Sequence, residues 1–119
     1  MHEESLARTL IAQTTDLCHR HGAIRVLVIR VSCGALSGVE PLLLQDAFER
    51  LRGSTGMLAA AELVLEDPGL PARCCECGQE FQVADFRFVC GACGSTEIQI
   101  TDGDSLKVLD VQLELAEAG

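Results

Sequence analysis

The sequence CCECGQEFQVADFRFVCGAC, residues 74–93, sets the structure of the region around it. It contains two CxxC pairs with twelve residues between them. Each CxxC turn places two thiolates on one side of a tight loop, and two such turns complete a tetrahedron around zinc. Four thiolates close the coordination shell, so the spacing predicts a structural zinc site with the ligands Cys74, Cys77, Cys90 and Cys93.

Two other chemistries use paired cysteines, namely a redox-active dithiol and a disulfide. Gly78 and Gly94 follow the second cysteine of each pair, and they let the backbone curl so that amide N–H groups point at the sulfurs. A thiol oxidoreductase usually has a single reactive pair at a helix N-terminus, which two matched turns do not resemble. The matched turns therefore favour zinc.

Charge and composition bear on the class of partner. The chain has 119 residues, a net charge of −9 and only four aromatic residues, all Phe. Such a surface repels a nucleic-acid backbone and an anionic membrane. Residues 71–101 carry only two basic side chains, Arg73 and Arg87, and the chain has no Tyr or Trp for base stacking. A zinc-ribbon protein-interaction or transcription-associated module is the alternative function, and this composition disfavours nucleic-acid binding.

Cysteine usage indicates the compartment. Seven cysteines, an odd number, accompany an N-terminus, MHEESLARTL, that has no basic region followed by an apolar run. No stretch approaches the length of a transmembrane span. The sequence therefore predicts a cytoplasmic protein whose thiols stay reduced and bind metal.

Periodicity predicts two helices and three long strands outside the cysteine segment. Gly22 marks the end of the first helix, and Pro41 marks the start of the second. The predicted elements are a helix at 4–20, a strand at 24–33 covered on much of both faces, a helix from 41 with the apolar stripe Leu43, Leu44, Ala47, Phe48 and Leu51, a strand at 60–66, and a strand at 109–115. Short strands beside the zinc are expected around Phe81, Val83, Phe86 and Phe88.

This order predicts an α+β fold. Two helices pack on one face of a three-stranded sheet, and a zinc-ribbon-like four-cysteine domain is inserted before the last strand. The first domain comprises residues 1–69 plus 102–119, and the inserted domain comprises residues 70–101.

The N-terminus is a second candidate metal site. The amine of Met1, the amide and imidazole nitrogens of His2, and the Glu3 amide can place four nitrogens in a plane, as Ni²⁺ or Cu²⁺ prefers. From these residues alone, an ordinary frayed terminus with a solvated histidine is the favoured interpretation.

Other candidates are weaker. The run Cys18, His19 and His21 is typical of a solvated helix end, and Cys33 is typical of a small core residue. No Ser/His/Asp constellation, phosphate-binding glycine loop or paired acid and base is visible, so we expect a protein that is not an enzyme.

Four segments together resemble the HypA/HybF family of hydrogenase nickel-incorporation proteins. They are MHEESLARTLI from residue 1, GALSGVEPLLLQDAFE from residue 34, CCECGQEF from residue 74 and CGACGSTEI from residue 90. The resemblance implies a small metallochaperone with a nickel-binding α/β domain and a four-cysteine zinc domain. It also implies that Ni²⁺ is delivered to the [NiFe]-hydrogenase large-subunit precursor with the GTPase HypB, and in some members also to urease through its maturation proteins.

The resemblance also assigns residues. His2 matches the essential nickel ligand, with Met1 and Glu3 beside it, and the four cysteines match the zinc ligands. Glu40 matches an acidic position near nickel, where it could bind the metal, hydrogen-bond His2 or cap the following helix. Two positions depart from the family pattern: Gly91 stands where a proline commonly follows the third cysteine, and Cys75 adds a thiol inside the first CxxC turn.

Overall fold

A computed structural model gives the structure of the chain and describes residues 2–116. Its elements, in order, are α1 (His2–Arg20), β1 (Ala23–Cys33), α2 (Pro41–Leu51), two 3₁₀ turns (Arg52–Ser54 and Gly56–Leu58), β2 (Glu62–Glu66), β3 (Pro71–Cys74), β4 (Glu80–Gln82), β5 (Ile98–Ile100) and β6 (Leu106–Leu115). The predicted α+β fold is confirmed, and α1 begins two residues earlier than periodicity alone suggests.

The strands form two sheets. The first has the order β2-β1-β6, with β1 parallel to β2 and antiparallel to β6. Strand β2 can run parallel to β1 because α2 returns the chain to the end of the sheet at which β1 begins. The second sheet has the order β4-β3-β5 and lies entirely between β2 and β6 in sequence. The four-cysteine segment is therefore inserted before the last strand, as predicted.

Both helices bury a stripe with helical spacing. On α1 the buried residues are Ala7, Leu10, Ile11, Thr14 and Cys18. On α2 they are Leu44, Ala47 and Phe48, whereas Leu43 of the predicted stripe is exposed. The largest fully buried side chains include Phe48, Leu44 and Ile29. The core thus lies between the two helices and one face of the first sheet.

The prediction that β1 is covered on much of both faces holds only for its second half, where Val31, Ser32 and Cys33 are all buried. The pairing of β1 with β6 shifts by one residue between Ala23 and Arg25 and again between Val26 and Val28. These β-bulges leave Ile24 and Leu27 without a cross-strand partner, and both side chains are exposed. The first half of the apolar run therefore contains two exposed, bulged residues.

The predicted strands around the later phenylalanines are also wrong in part. Phe81 lies in β4, but Val83, Phe86 and Phe88 lie outside the strands. Asp85 and Phe86 have φ angles of 53° and 54°, in the left-handed region that interrupts an extended chain. The turn exposes the rings of Phe86 and Phe88, whose centroids are 6.4 Å apart.

The loop after β1 contacts the segments that connect the two sheets. The Leu36 N–H donates to the Gly103 carbonyl at 2.8 Å, and the Gly34 N–H donates to the Ser105 carbonyl at 3.2 Å. This loop leads directly to α2, so the start of α2 is tied by hydrogen bonds to the return connection. Within residues 2–116, no helix has the length and apolarity that crossing a bilayer requires.

Candidate metal sites

The four cysteines predicted to bind zinc converge in the structure. Their Sγ atoms all lie within 4.8 Å of one another, with 3.6 Å between Cys74 and Cys93 and 3.6 Å between Cys77 and Cys90. Four sulfurs at the usual Zn–S distance of about 2.3 Å are about 3.8 Å apart in a regular tetrahedron. The cluster therefore has the donor set and the size that a tetrahedral zinc ion requires.

The two CxxC turns close with the same pair of backbone hydrogen bonds. In the first, the Gly78 N–H donates to the Cys74 carbonyl and the Cys74 N–H donates to the Gln79 carbonyl. In the second, the Gly94 N–H donates to the Cys90 carbonyl, and the Cys90 N–H donates to the Ser95 carbonyl. The two glycines have φ angles of 78° and 75°, which a residue with a Cβ adopts only with strain.

Backbone N–H groups lower the pKa of the first thiol in each turn. The N–H groups of Cys77 and Glu76 lower the pKa of Cys74 to about 6, although burial opposes them. The Cys93 N–H has the same effect on Cys90, whose pKa is also lowered. These two sulfurs are the preferred sites of negative charge, which is the form that binds a cation.

The second thiol of each turn keeps its proton more strongly. The Gln79 N–H lowers the pKa of Cys77, but burial and hydrogen bonds to Cys90 and Cys74 raise it more. The Ser95 N–H lowers the pKa of Cys93, but the hydrogen bond to Cys74 and burial raise it to about 12. Metal binding must therefore displace protons from Cys77 and Cys93.

The two departures from the family pattern leave the cluster intact. Cys75 is exposed, its N–H donates to the Glu97 carbonyl at 2.8 Å, and its thiol is outside the four-sulfur cluster. Gly91 lies inside the second turn, which nevertheless closes like the first.

Three residues of the N-terminal candidate site, His2, Glu3 and Glu40, lie where α1 and α2 begin. Met1, the predicted source of the amine, lies outside the described residues. His2 is the first residue of α1, and its Nδ1 atom lies 3.7 Å from Oε2 of Glu3. The first N–H groups of a helix have no carbonyl partner within it. The backbone nitrogens at His2 and Glu3 are therefore outside the hydrogen-bond ladder of α1.

Glu40 connects this region to α2. Oε2 of Glu3 accepts a hydrogen bond from the Glu40 N–H at 3.2 Å, and that bond is the main cause of a lowered pKa for Glu3. The Glu40 carboxylate accepts the Leu42 N–H at 3.4 Å and so caps α2. The capping role considered for Glu40 is therefore present in the structure. The link from Glu3 to the Glu40 backbone has no signal in the sequence.

None of the remaining candidates belongs to the four-cysteine cluster. His19 and His21 are exposed, whereas Cys18 is buried and its thiol donates to the Ala23 carbonyl. Cys33 is buried, as predicted. In the part of the chain that the structure describes, the four cysteines form the one group of three or more His, Cys, Asp or Glu residues arranged to hold a metal ion.

Comparison with known proteins identifies relatives that span nearly the whole chain. The family model described as "Hydrogenase/urease nickel incorporation, metallochaperone, hypA" matches residues 1–113. Hydrogenase maturation factor HypA of Aquifex aeolicus is 35% identical over 115 residues, which cover 97% of this chain and 99% of the relative. Its counterpart in Polaromonas naphthalenivorans is 37% identical over 111 residues, covering 93% and 96%.

Solved structures show the same architecture. A solution structure of HypA protein superimposes with a TM-score of 0.74 and 26% identity, covering 95% of this chain and 96% of the other. The solution structure of the Ni metallochaperone HypA from Helicobacter pylori has a TM-score of 0.68 and covers 96% and 98%; at 24% identity it supports the fold alone. Because the family model and the curated relatives span nearly the whole chain, this protein belongs to the HypA family of nickel metallochaperones for hydrogenase maturation.

Proposed function

We propose that the chain binds Ni²⁺ at its N-terminus and delivers it to the [NiFe]-hydrogenase large-subunit precursor. The ligands in this proposal are the Met1 amine and the nitrogens of His2 and Glu3, with Glu40 beside them. The supporting observation is that His2 begins α1 next to a Glu3 carboxylate held by the Glu40 backbone.

The chemistry of this region suits a carrier. Square-planar nitrogen coordination favours Ni²⁺ over Zn²⁺. Backbone nitrogens at a helix start can bind metal without breaking helical hydrogen bonds. His2 is exposed, so a bound ion stays accessible to the next protein. Protons compete with Ni²⁺ for the amine and the amides, and nickel binding should therefore weaken as the pH falls.

In the same proposal the four-cysteine cluster holds Zn²⁺ as a structural ion. Four thiolates leave no coordination position for a substrate, so zinc would maintain the fold of residues 70–101 and not catalyse a reaction. Nickel would then be held by the other domain, comprising residues 1–69 and 102–119. None of the seven cysteines forms a disulfide, which supports a cytoplasmic location.

The proposed partners are the GTPase HypB and the hydrogenase precursor. The family description also names urease, and we extend the proposal to urease maturation proteins. The acidic surface, with a net charge of −9, supports protein partners over nucleic acid or membrane.

The test is to measure metal content and titrate Ni²⁺ by calorimetry into untagged wild type, His2→Ala and His19→Ala. His19 is an exposed histidine near the other end of α1 and serves as the matched control. We expect one zinc in all three proteins, and one tightly bound nickel in wild type and His19→Ala only.

Stoichiometric nickel in His2→Ala would contradict the N-terminal site. One zinc with no nickel in any of the three proteins would favour a zinc-ribbon interaction module without a nickel role. An N-terminal extension that carries no histidine should also abolish nickel binding, because it converts the Met1 amine into an amide. The same extension at the C-terminus should have no effect.

A further inference from the structure

The segment from residue 84 to residue 89, called here the Phe turn, lies between β4 and the second CxxC turn. Every residue in it is exposed. Phe86, Phe88 and Val89 are 60%, 39% and 41% exposed, and the two rings lie beside each other with their centroids 6.4 Å apart. Apolar side chains that are contiguous and exposed to water mark an interaction site.

The backbone of the Phe turn is strained and held at both ends. Asp85 and Phe86 both have φ angles in the left-handed region, 53° and 54°, which a bulky residue such as Phe rarely adopts. Before the turn, the Val83 N–H donates to the Leu70 carbonyl at 2.8 Å. After it comes Cys90, one of the four cluster thiols. Strain that the surrounding structure maintains in this way is typical of functional segments.

A groove of about 320 Å³ lies along the Phe turn. Phe81 of β4 lines it together with Ala84 and Val89 of the turn, so much of its surface is apolar. Gly91 also lines the groove, and a Cβ added there would meet no atom within 4 Å. The groove is therefore open to an extended segment of another protein.

Arg87 is the charged group that lines this groove. Within residues 2–116 it has neither an ion pair nor a side-chain hydrogen bond, although the chain has a net charge of −9. Arg73 is the other arginine of the inserted domain, and it lies opposite Glu80 in the pairing of β3 with β4. Most basic side chains contact a carboxylate, namely Arg8, Arg20, Arg25, Arg30, Arg50 and Lys107. The guanidinium of Arg87 is thus available to a carboxylate from outside the chain.

We propose that the Phe turn and its groove bind an extended segment of a partner protein in which an apolar side chain stands near a carboxylate. The carboxylate pairs with Arg87, and the apolar side chain covers Phe81 and Val89. Aromatic residues and arginine are enriched at protein interfaces, and a charge pair fixes the register of the apolar contact. The net charge of −9 disfavours a nucleic acid or an anionic membrane as the occupant. The proposal goes beyond the nickel site, because none of these residues is a candidate nickel ligand.

The first test selects binders to the zinc-loaded full chain from a phage library of random linear peptides. We expect the selected peptides to be enriched in Asp or Glu near Leu, Ile, Val or Phe. A selection without enrichment of acidic residues, or one that returns basic peptides, would overturn the proposal.

The best selected peptide is then synthesised with a fluorescent label, and its dissociation constant is measured by anisotropy. Arg87→Gln should weaken binding by about tenfold or more, because a buried charge pair is lost. Arg73→Gln is the matched control: it removes the same charge from the same domain and should bind like wild type. Equal dissociation constants for wild type and Arg87→Gln, or displacement of the peptide by polyuridine, would show that the occupant is not an acidic segment.

The second test uses Phe86→Gly to separate binding from folding. Glycine adopts a φ angle of 54° without strain, so the variant should keep one zinc per chain and resist urea at least as well as wild type. It should nevertheless bind the peptide several-fold more weakly, because the exposed ring is gone. If the variant loses zinc, the ring serves the fold; if it binds the peptide as tightly as wild type, the ring is outside the interface. Either result would contradict the proposed surface.

Discussion

The two adjacent cysteines at the end of β3 lie in opposite environments. Cys74 is buried in the four-sulfur cluster, whereas Cys75 is exposed and lies outside it. We predict that Cys74→Ser loses zinc, because three thiolates hold the ion much less tightly than four. Cys75→Ser should keep one zinc per chain. Release of zinc to a chromogenic chelator measures both, and zinc loss in Cys75→Ser would show that this thiol substitutes for Cys74.

Glu3 provides a pH-dependent contact at the start of α1. Its pKa lies below the ordinary value of 4.5, mainly because its carboxylate accepts the Glu40 N–H. A lowered folded-state pKa means that this stabilisation is present above about pH 4.5 and is lost as the pH falls through the folded value.

We therefore predict that the amide resonance of Glu40 titrates with an apparent pKa below 4.5 in wild type. Glu3→Gln should remove this titration, because its side chain carries no ionisable group. NMR spectra recorded between pH 6 and pH 3 measure both proteins. The Leu42 amide donates to the Glu40 carboxylate, so its resonance distinguishes changes at Glu40 from changes at Glu3. An unchanged titration of the Glu40 amide resonance in Glu3→Gln would mean that a group other than Glu3 is responsible.

At the level of elements, three glycines make the contact between the loop after β1 and the connecting segments. A Cβ on Gly34 would collide with the Gly103 backbone, and a Cβ on Gly103 would collide with the Gly69 carbonyl. Gly103 also has a φ angle of 89°, outside the range that other residues adopt easily.

We predict that Gly103→Ala destabilises the zinc-loaded protein by roughly 1–3 kcal/mol or more, from backbone strain and overlap with Gly69. Gly53→Ala is the matched control, because a methyl group added there would have no neighbouring atom within 4 Å and the φ angle of Gly53 is not positive. That change should stay within about 0.5 kcal/mol of wild type. Urea denaturation measures the free energy of unfolding of both variants. If Gly103→Ala is as stable as wild type, the backbone at Gly103 can move away from Gly69 without cost.

The elements that the sequence predicts well are those with a strong local signal. The apolar spacing of α1 and α2, Pro41 at the start of α2, and the CxxC spacing each act within a few residues. The exposed Phe86 depends on two successive left-handed residues, and the exposed Ile24 depends on a bulge against β6. The bulge arises from how distant segments pair, and the left-handed turn has no apolar signal, so hydrophobicity alone indicated burial. The hydrogen bond from the Glu40 backbone to Glu3 spans 37 residues and is equally invisible in the sequence.

At the level of the whole molecule, the buried cluster and the cysteine segment are separate sources of stability. The cluster is formed by side chains of α1, β1, α2, β2 and the 3₁₀ turn at Leu58, with Leu106, Val111 and Leu113 of β6 packed against it. No residue between 66 and 105 belongs to it among those the structure describes. The second sheet has three strands of three or four residues, and a domain of fewer than about 40 residues usually needs a metal or disulfides to fold. Its fold should therefore depend on the metal.

We predict that removing zinc with a strong chelator at neutral pH unfolds residues 71–100 and leaves the first sheet and both helices folded. The reason is that structural zinc supplies much of the folding free energy of a small domain, whereas Phe48, Leu44 and Ile29 remain buried without it. Circular dichroism should retain the helical signal, while amide exchange becomes fast at Ala72 and Ile98 and stays slow at Val26 and Val31. Restoring zinc should reverse the change. Loss of the helical signal on chelation would instead show that the two sheets fold as a single cooperative unit, in which case the stability of α1 and its nickel-binding end would depend on zinc.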